Sequence, residues 1–301
     1  MATAVPYNKN MFSFRSETKE LNDETRRLTG GSFVQLSDGV THYELSNITK
    51  DQTVVFVHGF SVPYFIFDPT FHFLTQNGFR VLRYDLFGRG FSDRPVTDYN
   101  IDLFVKQLSD LLDALRLTRP VSLIGLSMGG PITAAFTARY PQRVEKLVLI
   151  DPAGARPIVL SRILKVVTKP YVGEAILGLV GSGGMLKNIA LDFFDKKLVD
   201  HFQQRYLVQM QFKGFRRAIL STVRNNMLES FLDNYRKVGS LNKPVMLIWG
   251  RHDSTVPLKH SEDICRAIPN IEFHVIEDCS HIPHYEKPEE TNALLLEFLR
   301  K

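Results

Sequence analysis

Apolar residues follow two rhythms along this chain. Short apolar-rich runs at 53–57, 79–84, 121–124, 146–150, 244–249 and 271–276 read as strands, and the unbroken run at 53–57 reads as buried on both faces, as in a parallel sheet. Between them the spacing turns helical. Ile101, Phe104, Val105, Leu108, Leu111, Leu112 and Leu115 mark one amphipathic helix, and further helices are expected near 65–76, 131–139, 258–267 and 288–299. Strand and helix alternate from 53 to 150, which predicts a mostly parallel central sheet flanked by helices. Two earlier short strands, 32–36 and 41–45, flank Asp38-Gly39, a hairpin turn signal. The alternation lapses from about 153 to 237, where 195–211 and 215–226 read as helices and no strand is evident, and then resumes. Three parts follow: a polar N-terminal extension, 1–31, with one exposed helix over 16–28 stopped by Gly30-Gly31; an α/β core, 32–152 and 238–301; and an inserted helical cap, 153–237.

Reactive groups in such sheets gather at the carboxyl ends of strands. His58, Asp85, Ser127 and Asp151 all sit at such ends. The stretch Gly125-Leu126-Ser127-Met128-Gly129-Gly130 joins a strand to a helix-prone run. A serine at such an apex is exposed only where its neighbours two residues either side lack bulk, and Gly125 and Gly129 meet that need. A serine hydroxyl is a poor nucleophile until a base takes its proton and a third group orients that base. Ser127, Asp253 and His281 supply the three, each just after a strand. His284, three residues past His281, and Asp151 stand as alternatives for base and acid.

Several segments together resemble the α/β-hydrolase superfamily over roughly residues 32 to 301. They are His58-Gly59-Phe60, Asp85-Leu86-Phe87-Gly88-Arg89-Gly90-Phe91-Ser92, the Ser127 turn, Trp249-Gly250-Arg251-His252-Asp253 with Val256-Pro257, and Ser280-His281 with Glu286-Lys287-Pro288-Glu289. The resemblance implies Ser127 as nucleophile, His281 as general base and then acid, and Asp253 as its orienting carboxylate. It implies an oxyanion hole from the backbone N–H groups of Phe60 and Met128. The same pattern favours His281 over His284 and Asp253 over Asp151, gives His58 and Asp85 structural roles, and implies no metal or organic cofactor. The elbow serine separates the chain from relatives that use an aspartate there, the haloalkane dehalogenases and epoxide hydrolases.

Composition narrows the field. The chain has 301 residues, 44% of them hydrophobic and 23% charged, enough for a core that needs no disulfide staples. Its two cysteines, Cys265 and Cys279, are too few for a disulfide framework or a structural zinc site. No signal-like start and no membrane-length apolar run is evident, so a cytoplasmic setting is expected. The net charge of +5 is unevenly spread: residues 156–237 hold 14 Lys/Arg against 6 Asp/Glu. That basic cap is expected as a solvated helical surface, with attraction to anionic lipid as the functional alternative. No recognised motif supports nucleic-acid binding.

The leading expectation is a serine carboxylesterase or lipase-like enzyme that takes a small acyl ester, with an apolar acyl pocket under the cap. One alternative is a hydrolase of carbon–carbon bonds in ring-cleavage products. Its members resemble this chain in Ser, Asp, His and cap, but carry a glycine-rich segment after the first His-Gly and a tryptophan after the catalytic histidine. Here those places hold Phe60-Ser61 and Ile282. The other alternative is a ligand-binding receptor on a hydrolase scaffold, against which the intact triad weighs.

Overall fold

The strands are β1 (Ser32–Leu36), β2 (Gly39–Leu45), β3 (Thr53–Val57), β4 (Arg80–Tyr84), β5 (Val121–Leu126), β6 (Val144–Ile150), β7 (Val245–Gly250) and β8 (Glu272–Ile276). They form one eight-stranded sheet in the order β1-β2-β4-β3-β5-β6-β7-β8. The β1–β2 and β2–β4 pairs are antiparallel, and every pair from β4 onward is parallel. This computed structural model describes residues 14, 16–47, 52–158, 166, 168–169, 172–180 and 183–301. Parts of the expected N-terminal extension and cap insertion therefore lie outside the described residues.

The apolar runs serve two cores at once. Val55, Val57, Leu123, Leu147, Leu149, Leu247 and Trp249 face one side of the sheet. Val54, Phe56, Ile124, Leu126, Val148, Ile150, Met246 and Ile248 face the other. Alternate residues of a strand point to opposite faces, so a strand covered on both sides is apolar along most of its length. Helices Ile101–Ala114 and Gly129–Arg139 pack on the first face, and Asp68–Gln76 and Pro288–Arg300 on the second. Asn100 caps helix Ile101–Ala114, accepting the Leu103 N–H at 3.0 Å.

Two local expectations change. The N-terminal helix shrinks to Asp23–Arg27, capped by Asn22. The polar residues ahead of it have no apolar face to bury, and their backbone pairs elsewhere: Lys19 N–H donates to Gln211 O at 2.9 Å, and Lys213 N–H to Lys19 O at 2.8 Å. Beside them the buried Glu17 accepts the N–H groups of Gly214 and Arg216 at 2.7 and 2.8 Å. A further helix runs over Gly183–Leu191. Gly183 and Gly184 fall in its first turn, where the helix penalty of glycine weighs least. The helix expected over 195–211 is a short 3₁₀ turn, Lys196–Leu198, followed by Val199–Gln209.

Residues between β6 and β7 reach over the carboxyl ends of β3 and β4. Gln209 Nε2 donates to Ser61 O and Gln209 Oε1 accepts the Gly90 N–H, both at 2.8 Å. Much of the positive charge there is paired: Arg205 with Asp68, Arg224 with Glu174, Arg216 with Glu17 and Lys213 with Glu20.

Candidate active site

The Ser127 turn is built by close approach. A Cβ on Gly129 would stand 2.1 Å from Val57 O, and one on Gly125 would stand 2.5 Å from both Gly129 O and Thr133 Oγ1. Only hydrogen fits at either place. Ser127 itself takes φ +52°, a left-handed conformation uncommon for a non-glycine residue. Its backbone is tied down to hold that strain. The N–H donates to Ile150 O at 2.9 Å, and the carbonyl accepts from Gly130 and Ala153 at 2.9 and 3.0 Å. The Ser127 hydroxyl has no hydrogen-bond partner among the described residues, while the residue is only 8% exposed. Helix Gly129–Arg139 begins just behind it, so its unpaired N–H groups favour negative charge at this spot.

Asp253 and His281 meet as a buried pair. His281 Nδ1 donates to Asp253 Oδ2 at 2.7 Å. The other oxygen, Oδ1, accepts the N–H groups of Thr255 and Val256 at 2.8 and 2.9 Å. Three donors thus fix the carboxylate, and the carboxylate fixes the imidazole tautomer, leaving Nε2 to act. Burial pulls the His281 pKa down, but the charge and hydrogen bond of Asp253, with the charge of Asp192, outweigh it and push it up to about 9. The structure records no hydrogen bond between the imidazole and the Ser127 hydroxyl.

His284, the sequence alternative, is fully buried against Phe67, with ring centroids 4.9 Å apart. Burial lowers its pKa to about 3. Asp151 lies much nearer the site. One carboxylate oxygen of Asp151, one of Asp253 and a ring nitrogen of His281 all lie within 4.8 Å of one another.

The loop after β3 carries the other expected donor. Neither the Phe60 nor the Met128 N–H donates a hydrogen bond to a described residue. His58 fixes the loop from behind: Leu86 N–H donates to its Nε2 at 2.9 Å, and its Nδ1 faces Gly59 O at 2.9 Å. That arrangement needs a neutral ring with the proton on Nδ1, and burial lowers the His58 pKa to about 4 accordingly. Arg89, fully buried, donates from Nε to Phe60 O and from Nη2 to Thr222 Oγ1, both at 2.8 Å. Asp85 gathers His42 Nδ1 at 2.7 Å and the Tyr64 and Phe91 N–H groups at 2.9 Å, a framework role.

Sequence reasoning missed the joint between the histidine loop and residues 191–195. His281 N–H donates to Asp192 O at 3.1 Å, and Thr255 Oγ1 to Asp192 Oδ1 at 2.6 Å. Burial raises the Asp192 pKa. Glu286 accepts the Phe194 and Asp195 N–H groups on Oε1 at 2.7 and 2.9 Å, and the Ser280 N–H on Oε2 at 2.9 Å. An open cleft of about 570 Å³, lined by Phe194, Asp195, Lys197, Asp278, Glu286 and Lys287, lies on this joint. Its lining includes none of Ser127, Asp253 and His281. Asp192 carried no spacing signal; Glu286 stood in the Glu-Lys-Pro-Glu segment that follows His281.

Fold and site together define a hydrolase of the α/β class. Residues 54–294 match the model of the alpha/beta hydrolase family, and the chain belongs to that family. It is 31% identical over 234 residues to a 2-hydroxy-6-oxononadienedioate/2-hydroxy-6-oxononatrienedioate hydrolase of Paraburkholderia phymatum, covering 74% of this chain and 77% of the relative. A hydrolase of the same description from Pseudomonas putida is 30% identical over 282 residues, 89% of this chain and 95% of the relative. Among solved structures, the meta-cleavage product hydrolase CumD of Pseudomonas fluorescens superposes with TM-score 0.74 at 25% identity, covering 90% of this chain and 97% of the other. An esterase of Exiguobacterium antarcticum shares the fold, with TM-score 0.76 at 21% identity over 90% of this chain and 100% of the other. No helix among the described residues is long and apolar enough to cross a membrane.

Proposed function

We propose that this chain is a serine hydrolase that cleaves the carbon–carbon bond beside a ketone in an open-chain dienoic product of ring cleavage. The relatives at 30% and 31% identity, named for such dienedioates, carry this reading ahead of the carboxylesterase expected from sequence. Ser127 is the nucleophile, His281 its base and Asp253 the carboxylate that orients the base. Apo hydrogen bonds of this kind are commonly long and close on substrate, so the serine–imidazole bond forms in the complex.

The chemistry follows from the substrate class. A 2-hydroxy-6-oxo dienoate first takes its keto form, with a proton gained at C5. Ser127 Oγ adds to the C6 carbonyl as His281 Nε2 takes the hydroxyl proton. The Phe60 and Met128 N–H groups hold the resulting oxyanion; one such donor is typically worth about 3 kcal/mol. The C5–C6 bond then breaks. Its electron pair flows through the conjugated chain to the C2 oxygen, which takes the proton back from His281. Water, activated by His281, cleaves the Ser127 acyl ester and releases a carboxylic acid.

The test offers a coloured ring-cleavage dienone and p-nitrophenyl butyrate to the wild type and to Ser127→Ala. Decay of the dienone chromophore at a kcat/KM above that for the ester is expected, with both rates lost in the variant by about a thousandfold or more. Ester turnover with the dienone untouched returns the chain to the carboxylesterase reading. Phe60-Ser61 and Ile282, where carbon–carbon hydrolases carry glycines and a tryptophan, favour that second reading.

A further inference from the structure

Two aspartates, Asp151 just after β6 and Asp253 in the loop after the neighbouring parallel strand β7, both approach His281. Their surroundings differ. Asp253 receives three donors, two on Oδ1 and one on Oδ2. Among the described residues Asp151, fully buried, receives one donor, the Gly250 N–H at 2.9 Å on Oδ1, and its buried Oδ2 has no hydrogen-bond donor. The charges facing Asp151 are the carboxylates of Asp253 and, farther off, Glu286, with the His281 ring beside Asp253. An ionised Asp151 would thus leave an unpartnered anionic oxygen at a buried position beside a like charge, which is costly. A proton on Oδ2 removes that cost and turns the orphan acceptor into a donor. Burial first, and Asp253 second, raise the Asp151 pKa well above the usual carboxylate range. The backbone fixes the placement: Asp151 takes φ +40°, and its N–H donates to Ile248 O at 2.9 Å.

We propose that Asp151 is a positioning residue which, as the carboxylic acid, donates the Oδ2 hydrogen to the Asp253 carboxylate and holds it against His281. This rests on the reading of Asp253 and His281 as partners of Ser127. The donor shares the negative charge of Asp253, so it also tempers the pull of that charge on the imidazolium. An amide supplies the same donor without any proton to lose; a methyl group does not.

The experiment uses the full chain and the variants Asp151→Asn, Asp151→Ala and Ser127→Ala. Infrared difference spectra at neutral pH read the carboxylic-acid C=O stretch without turnover. A band present in the wild type and in Ser127→Ala, and missing from Asp151→Asn, is expected. In kinetics, Asp151→Ala lowers kcat about tenfold and moves the acid limb of kcat/KM upward, and Asp151→Asn restores kcat to within about threefold with the limb back in place. Were Asp151 ionised, the acid band would be absent. Asp151→Asn would then lower the limb by about two pH units, the effect of one charge at this range with an effective dielectric near 20. That result overturns the proposal, as does a stoichiometric divalent cation bound by the wild type and lost from Asp151→Asn. Where Asp151→Ala fails to fold, the infrared band and Asp151→Asn still decide. Full turnover by Ser127→Ala with the band intact would sink the serine reading alone.

Discussion

His58 offers a quantitative test of how the loop after β3 is held. Its Nε2 must accept the Leu86 N–H, so the ring stays neutral in the fold. The folded pKa is lowered to about 4, against about 6.5 in an unfolded chain. A depressed value stabilises the protein above the unfolded pKa, and that stability is lost as pH falls toward the folded one. Linkage gives a loss of about 2 kcal/mol between pH 7 and pH 5, and about 3 kcal/mol by pH 4. His58→Gln keeps an acceptor near the Leu86 N–H and removes the titration. At pH 7 it should cost about 2 kcal/mol, for an imperfectly replaced buried hydrogen bond. Urea unfolding of both proteins at pH 7, 6 and 5 then shows the gap closing, with the two stabilities meeting near pH 5. Every other titrating group, including the buried His284, cancels in the difference. A gap that stays constant from pH 7 to pH 5 refutes the neutral, buried His58.

Three further outcomes follow from the site. Gly129→Ala forces a Cβ against Val57 O and should cost about 1–3 kcal/mol in thermal unfolding, with kcat falling far more than stability because the Ser127 turn must shift. Asp253→Asn leaves Oδ1 able to accept from Thr255 and Val256 but withdraws the charge from His281, so kcat should fall about ten-thousandfold in steady-state kinetics while circular dichroism is unchanged. A histidine base acts only when neutral, so the acid limb of kcat/KM should lie above the ordinary histidine value, toward 9; a limb below pH 6.5 would contradict the pull of Asp253 and Asp192 on the imidazole.

The sheet was legible because burial on both faces makes β3, β5, β6 and β7 apolar along most of their length. The Ser127 turn was legible for a related reason: Gly125 and Gly129 are places where only hydrogen fits. The joint at Asp192 and Glu286 was not, because Glu286 accepts from Phe194 and Asp195, some ninety residues away in the chain, and no periodicity records such pairings. The 16–28 segment misled because its helix-compatible composition lacks an apolar stripe, and the chain spends those backbone groups on residues 211–216. Asp151 was visible only as a rival to Asp253; that both carboxylates share one buried corner is a property of neighbouring strands.

Glu286 ties three main-chain groups from two distant stretches, Phe194 and Asp195 on one side and Ser280 on the other. Thermal motion that peels 194–195 away must rupture bonds to the same carboxylate that steadies the peptide next to His281. Loosening of the cover and loss of aim at the imidazole therefore arrive together, as one event rather than two.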